Sequence, residues 1–455
     1  MSTFISINPA TGKEIGRTES LDAQQLEQAL ARAQADFLRW RATPVSERAA
    51  LLIELARQLE LGAQGYAAMM SREMGKTFRE ALAEVKKCAF TARHFAEHGP
   101  AALADEAAPS DAVKSFVRYE PLGVILAIMP WNFPFWQLFR CAIPALLTGN
   151  VVLLKHAGST LGCAAEIEEV FRKAGAPRGL LQSIPVQHEQ IDGIIGDARV
   201  RALSLTGSTR AGRAVAAQCA KYLKPSVLEL GGSDAFVVMP SCDLDAAVKC
   251  AVVGRVQNNG QSCIAAKRFI VHEQVYTAFE DKLQAAFEGL RMGDPMDESI
   301  DLGPLSSEAA RKTLDEQVQD SIAAGARLVV GGRVPNGPGW YYPATILADI
   351  PDDAPAARDE LFGPVAALFR VRDLEHALER ANATVYGLGA SIWTRDEDEA
   401  QRAIDGLQAG AVFVNGIVKS DARLPFGGIK ESGWGRELSW HGLLAFTNTK
   451  AVWIK

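Results

Sequence analysis

A chain of 455 residues, 48% hydrophobic and 22% charged, has the material for a large core and a length that favours two or three domains over one. Its formal net charge of −6 is small for that size, and no basic tract interleaved with aromatics argues for a nucleic acid or an anionic membrane as partner. Seven cysteines, an odd total without a Cys-x-x-Cys pair, read as free thiols of a reducing compartment, and seven scattered histidines argue against a zinc site.

The N-terminal Met1–Pro9 lacks a basic n-region and a long apolar h-region, so no secretory signal is read and a cytoplasmic protein is expected. From Asp22 to about Glu97 apolar residues recur at helical spacing, first Leu26, Leu30, Ala33 and Phe37, then Leu51, Leu52, Leu55 and Leu59. Lys114–Tyr119 alternates as a strand does, and Gly123–Met129 is a continuous apolar run suited to a buried parallel strand. The uncharged stretch from Pro121 to Phe139 is long enough to raise a membrane span, but Pro121, Pro130 and Pro134 with Asn132 and Gln137 favour buried strand, loop and helix start. Strand-like and helical segments then alternate: Val151–Leu154, a helix over Thr160–Ala174, Ala202–Thr206, a helix over Thr209–Leu223, and Ser226–Leu230. That βαβ rhythm predicts a parallel sheet covered by helices. A second alternating series runs from Asp234 to Asn415 and includes strands at Arg268–Val271 and Ala390–Trp393, so two α/β domains are expected to meet near Glu229–Gly232.

One cysteine stands apart. The segment Val256-Gln257-Asn258-Asn259-Gly260-Gln261-Ser262-Cys263-Ile264 puts Cys263 in a polar, glycine-containing turn between apolar segments. A reactive thiolate needs such a setting, with backbone N–H groups nearby and room for a substrate. Cys88, Cys141, Cys163, Cys219, Cys242 and Cys250 read as structural. Glu229, in Val227-Leu228-Glu229-Leu230-Gly231-Gly232, falls where strand period buries a carboxylate, and a buried carboxylate needs a partner or a task such as general-base work. Thr206-Gly207-Ser208-Thr209-Arg210-Ala211-Gly212 follows a strand and opens a helix whose free N–H groups suit a phosphate, although it is not a GxGxxG fingerprint.

Together with Pro130-Trp131-Asn132-Phe133-Pro134 and Leu228–Gly232, the cysteine segment resembles the signature set of the NAD(P)-dependent aldehyde dehydrogenase superfamily. The resemblance extends from Asn8-Pro9-Ala10-Thr11-Gly12 through Glu360-Leu361-Phe362-Gly363-Pro364 to Pro425-Phe426-Gly427-Gly428-Ile429-Lys430-Glu431-Ser432-Gly433, in the family's order. It implies a shortened Rossmann-like cofactor domain over residues 1–102 and 122–228, a catalytic domain over 229–439, and a small β oligomerisation arm over 103–121 and 440–455. A homodimer or homotetramer is then expected. Cys263 becomes the nucleophile that forms a thiohemiacetal, Asn132 a donor to its oxyanion beside the Cys263 backbone N–H, and Glu229 the base that activates water for thioester hydrolysis.

For the cofactor, NAD or NADP, the resemblance points to Trp131, Gly207, Ser208 at the pyrophosphate, and Glu360 and Phe362 at the nicotinamide ribose and ring. Lys155, read as ending the strand Val151–Leu154, reaches the adenosine ribose. Gly158 stands where the family often has a ribose-gripping glutamate, which removes repulsion toward a 2′-phosphate, and His156 adds attraction. The pattern is similar to the succinate-semialdehyde dehydrogenase branch, in which Arg140 binds the substrate carboxylate beside Ser420. Gln257 replaces a second arginine common there, and Arg423 is its candidate substitute. Other readings are an aldehyde dehydrogenase for another small aldehyde, a CoA-acylating dehydrogenase, against which Glu229 speaks, and a silent structural protein, against which the intact set of Cys263, Asn132, Glu229 and Lys155 speaks.

Overall fold

The apolar runs Val124–Met129 and Val151–His156 form central strands with nearly every residue buried, as expected where helices cover both faces of a parallel sheet. They pair in parallel, Val124 opposite Val151 and Met129 opposite His156. The computed structural model, which describes residues 2–455, extends this pair to a six-stranded sheet in the order Gly433–Trp434, Ser226–Glu229, Val200–Thr206, Val124–Met129, Val151–His156, Leu181–Ser183. Only the Gly433–Trp434 edge, supplied from far along the chain, runs antiparallel.

A second sheet of seven strands has the order Arg327–Val330, Thr345–Ala348, Val365–Val371, Ala266–His272, Asp234–Val238, Gly389–Trp393, Ala411–Val414. It is parallel except at the Arg327–Val330 edge. The protein is therefore an α/β molecule built on two mainly parallel sheets, as the sequence predicts. The helical N-terminal region resolves into Ala23–Trp40, Val45–Leu61, Ala63–Met74 and the long Phe78–Ala102, whose start is capped by Thr77. Among the described residues no helix is long and apolar enough to cross a membrane. The apolar helix Trp136–Leu147 is instead buried along its whole length against the first sheet and the N-terminal helices.

Two small antiparallel sheets complete the fold. The segment Thr447–Ile454 pairs along all of Lys114–Pro121, with Glu106–Ala107 on the far side. The other, Thr3–Asn8 with Lys13–Glu19, is not apparent from periodicity, because Lys13–Glu19 is exposed almost throughout and carries no apolar alternation. Its Phe4 ring packs against Gly158, where an added Cβ would lie 2.6 Å from Cδ1.

In the six-stranded sheet the chain leaves Val124–Met129 for strands on one side, then crosses to Val200–Thr206 on the other. Ligands of open α/β sheets lie outside the carboxyl ends of the strands at such a reversal of order. Here those ends deliver Pro130–Asn132 and Gly207–Ser208 side by side.

Candidate active site

A cavity of about 290 Å³ opens at that reversal, lined by Trp131, Asn132, Gln137, Thr206, Gly207 and Ser208 from the first sheet's side. Leu230 and Gly231, just after the first sheet's strand Ser226–Glu229, also line it, and Cys263, Glu360 and Phe362 close it from the second. Residues hundreds of positions apart in sequence thus face one space.

The nucleophile segment is not a simple turn. Residues Gln257–Gly260 form a tight left-handed turn in which Asn258 and Asn259 hold φ of 59° and 56°, a region that asparagine tolerates better than most residues. Their amides explain the choice. Asn258 Nδ2 donates to the carbonyls of Asn132 and Gln261, and Asn259 Nδ2 donates to those of Gly75 and Pro304. Lys267, 1% exposed, donates from Nζ to the carbonyls of Ser262 at 2.9 Å and Cys263 at 2.7 Å, and pairs with Glu360 at 3.4 Å. Arg255 donates to the Gly260 and Ala266 carbonyls. Sequence reasoning missed Lys267 and Arg255. Both sit in apolar surroundings, and only an unpaired cation in a strand or helix interior hints at their task.

Burial pushes the Cys263 thiol up to about 12, with Arg140 and Lys267 opposing the shift. The thiol is therefore protonated before an aldehyde arrives. Asn132, 4% exposed, donates from Nδ2 to the Gln261 carbonyl at 3.1 Å, which fixes its amide orientation and leaves one N–H for another acceptor. The Cys263 backbone N–H donates to no acceptor among the described residues. Two donors, on residues that line the same cavity, are thus free among the described residues.

Glu229 ends its strand 2% exposed, and neither carboxylate oxygen has a hydrogen-bond partner among the described residues. Gly427 leaves room for it, since a Cβ there would lie 2.7 Å from Oε1. Burial raises its pKa well above the ordinary carboxylate value, Arg140 opposes this, and Glu437 adds to it. Arg140 belongs to the same cluster. It is ion-paired to Glu437, donates to Thr206 Oγ1 at 3.3 Å, and lies 4.4 Å from the Phe426 ring centroid. Its charge is committed to Glu437, a residue that the sequence reading did not single out.

On the cofactor side, Trp131 and Phe362 meet edge to face at 5.8 Å, a paired aromatic wall. Glu360 accepts from the Gly232 N–H at 3.0 Å. Ser208 caps the helix Thr209–Lys221, its Oγ accepting from Ala211 N at 3.3 Å, so the N–H groups of that helix's first turn are the open phosphate donors. Lys155 lies inside the strand Val151–His156 rather than at its end, is 8% exposed, and forms no ion pair among the described residues. A nearly buried cation without a counter-charge fits an anionic nucleotide. The expectation for His156 is corrected. Its Nδ1 accepts from Ala157 N, its Nε2 faces the Pro134 carbonyl, and burial holds its pKa near about 4, so the ring is neutral.

On the substrate side, Ser420 Oγ accepts from Trp136 Nε1 at 3.0 Å and from Lys87 Nζ at 2.7 Å. Arg423 is exposed and folded back onto Asp421 at 2.6 Å, away from the lining of the cavity. Gln137 contributes an unpartnered buried Oε1 to the cavity, another residue missed in sequence.

The family model described as the aldehyde dehydrogenase family matches residues 1–452. The chain is 50% identical over 454 residues to a succinate-semialdehyde dehydrogenase [NADP(+)] 1 of Mycobacterium tuberculosis, covering 99% of each protein. It superimposes on a succinic semialdehyde dehydrogenase from Streptococcus pyogenes, solved with NADP+, with a TM-score of 0.97, 36% identity and 99% of each chain covered. Lactaldehyde dehydrogenase from Escherichia coli gives a TM-score of 0.96 at 32% identity, over 100% of this chain and 96% of that one. The fold alone does not choose among aldehydes.

Proposed function

Since the chain belongs to the aldehyde dehydrogenase family, we propose that it oxidises succinate semialdehyde to succinate, with NADP as its cofactor. The carrying observation is that Cys263, Asn132 and the nucleotide-side residues Gly207, Ser208, Glu360 and Phe362 line one cavity. The choice of aldehyde and of NADP rests on the relatives, whose names specify both.

In this reading the sulfur of Cys263 attacks the aldehyde carbon as its thiol proton passes to solvent water, and the nascent oxyanion takes the free N–H of Asn132 and the backbone N–H of Cys263. The nicotinamide, when bound, supplies the acceptor for the hydride that leaves the thiohemiacetal carbon. Trp131 and Phe362 would shield the bound ring from water, and Glu360 would hold the neighbouring ribose. The first-turn N–H groups after Gly207 and Ser208 would hold the pyrophosphate. Lys155 would hold the adenosine ribose, and Gly158, without a carboxylate, would leave a 2′-phosphate unrepelled. Glu229 then takes a proton from water, which attacks the acyl carbon and releases the acid and the thiol.

The division into a cofactor domain (1–102 and 122–228), a catalytic domain (229–439) and an arm (103–121 and 440–455) belongs to the same proposal. The exposed Trp453 and Ile454 on the strand Thr447–Ile454 support a homodimer or homotetramer through that arm. Seven unpaired cysteines support a cytoplasmic setting. The test is a panel of succinate semialdehyde, lactaldehyde and butanal, each assayed with NADP and with NAD. The highest kcat/KM is expected for succinate semialdehyde with NADP, and a higher value for either other aldehyde would overturn the substrate.

A further inference from the structure

Two donors, the Asn132 amide and the Cys263 backbone N–H, must meet one oxyanion, although they lie 131 positions apart in the chain. Such donors work only if their places are fixed before the charge forms. Both segments that carry them are tied to a third, the turn and helix start Gly75–Glu84, no residue of which lines the cavity.

Glu84, buried on the helix Phe78–Ala102, holds the first segment. Its Oε1 accepts the N–H groups of Phe135 at 2.9 Å and Trp136 at 2.8 Å, and its Oε2 accepts from Lys76 Nζ. Those N–H groups begin the helix Trp136–Leu147, whose N-cap residue Phe135 has no side-chain oxygen, so the carboxylate supplies the missing cap. Lys76, fully buried, also places Nζ 4.1 Å from the ring centroid of Phe133, the neighbour of Asn132.

Glu80 holds the second. Thr77-Phe78-Arg79-Glu80 has the form of a capping box, in which the glutamate reaches back to the N-cap backbone. Here Glu80 Oε2 accepts instead from Thr77 Oγ1 at 3.0 Å, and its Oε1 accepts at 2.8 Å from the Asn258 N–H, 178 positions away. That bond sits at the entry to the left-handed turn of the nucleophile loop. Glu80 and Glu84 are four residues apart, so both carboxylates leave one face of one helix. Asn258 then joins the two segments. Its Nδ2 donates at 2.9 Å to the carbonyls of Asn132 and Gln261, and the Gln261 carbonyl also accepts from Asn132 Nδ2 at 3.1 Å.

We infer that Glu80 is a positioning residue of the oxyanion site: by fixing the Asn258 N–H it sets the Asn132 amide against the Cys263 loop, while Glu84 and Lys76 anchor the other side. The inference rests on the oxyanion role given to Asn132 above. The task is to accept one N–H rather than to supply charge. A glutamine in its place has an Oε1 for Asn258 and an Nε2 that can donate to Thr77 Oγ1.

The experiment is a double-mutant cycle of Glu80→Ala with Asn132→Ala. It is read as the single-turnover rate of cofactor reduction, with enzyme in excess over the aldehyde that wild type oxidises fastest in the panel above. Asn132→Ala is expected to lower that rate by about 100-fold or more, as loss of one oxyanion donor does. Glu80→Ala should lower it by about 30-fold in the wild-type background, but by less than about threefold beside Asn132→Ala, where the donor it positions is gone. Glu80→Gln should stay within about threefold of wild type, and NADP should bind all variants with a Kd within about twofold. Glu80→Asp, which draws the carboxylate back by one CH2, carries the same cycle if the alanine variant does not fold, as judged by Tm. An equal loss in both backgrounds, no loss in Glu80→Ala, or Glu80→Gln as slow as Glu80→Ala overturns the assignment of Glu80 alone. A wild-type rate in Asn132→Ala overturns the oxyanion role of Asn132, and the assignment with it.

Discussion

The loop carrying Cys263 and the cluster around Glu229 are both buried, and their polar groups are treated in opposite ways. In the loop, Asn258 N donates to Glu80 Oε1, Gly303 N to Asn259 Oδ1 and Ser306 N to Gln261 Oε1, while Lys267 and Arg255 take up carbonyls on either side of the sulfur. At Glu229 neither oxygen is bonded. A nucleophile needs its geometry settled before the substrate arrives, and many short bonds to distant backbone achieve that. A base needs a proton affinity near the working range and freedom to meet water. Burial raises the proton affinity of the Glu229 carboxyl, with Arg140 opposing, and both its oxygens are open, without a partner among the described residues.

Three substitutions break or sharpen this contrast. The largest effect is expected from Cys263→Ala, which keeps the clamped loop and removes only the attacking atom. Turnover should fall by roughly four orders of magnitude or more while NADP still binds, measured by steady-state rate and by quenching of tryptophan fluorescence. Appreciable aldehyde oxidation in that variant would mean that the loop is held for another purpose.

Glu229→Gln tests the unbonded side. Steady-state turnover should drop by about 100- to 10,000-fold, yet one equivalent of reduced cofactor per site should form first, because thioester hydrolysis fails and the earlier step does not. The pH dependence has a definite sign. The folded protein holds the Glu229 proton above the ordinary carboxylate range, so it is neutral at low pH and becomes a base as pH rises. Wild-type kcat should climb with pH, and the variant should lose that limb. For stability the folded state binds more protons than the unfolded chain in the same window, so Glu229 lowers stability as pH rises from about 4.5, by at most about 1.4 kcal/mol per pH unit. The Tm of Glu229→Gln should therefore gain on wild type between pH 5 and pH 8, and parallel Tm curves would contradict the buried, partnerless carboxyl.

Lys267→Met probes the clamped side with a smaller kinetic effect. It leaves the carbonyls of Ser262 and Cys263 and the Glu360 carboxylate without their cation, so unfolding in urea should show a loss of about 2–4 kcal/mol. The rate should fall by roughly tenfold, as loosening of the nucleophile predicts. A stable variant with an unchanged rate would show that the remaining bonds of the loop suffice.

Much of this organisation is written locally. A short apolar run bounded by Gly123 and Pro130, as Val124–Met129 is, reads as a strand covered on both faces, and a cysteine in Gln257–Ile264, among asparagines, glutamines and glycine, stands out from six cysteines in apolar contexts. The alternation of strand-like and helical segments along the chain predicts two α/β domains that meet near Glu229–Gly232. Short elements without periodicity, like the hairpin strand Lys13–Glu19, were not legible, because their order comes from pairing and from Phe4 lying on Gly158.

Charge was the property that sequence could not assign. Arg140 is a cation in any alignment of letters, but Glu437 neutralises it from 297 positions away, and His156 loses its charge to burial, which outweighs the opposing pull of the Pro134 carbonyl. The sequence by itself determined which residue types enter the site and on which elements they ride, since those depend on neighbours a few positions away. Only the tertiary structure decided which of them remain charged and unpaired, because desolvation and ion pairing depend on distances that the chain sets by folding.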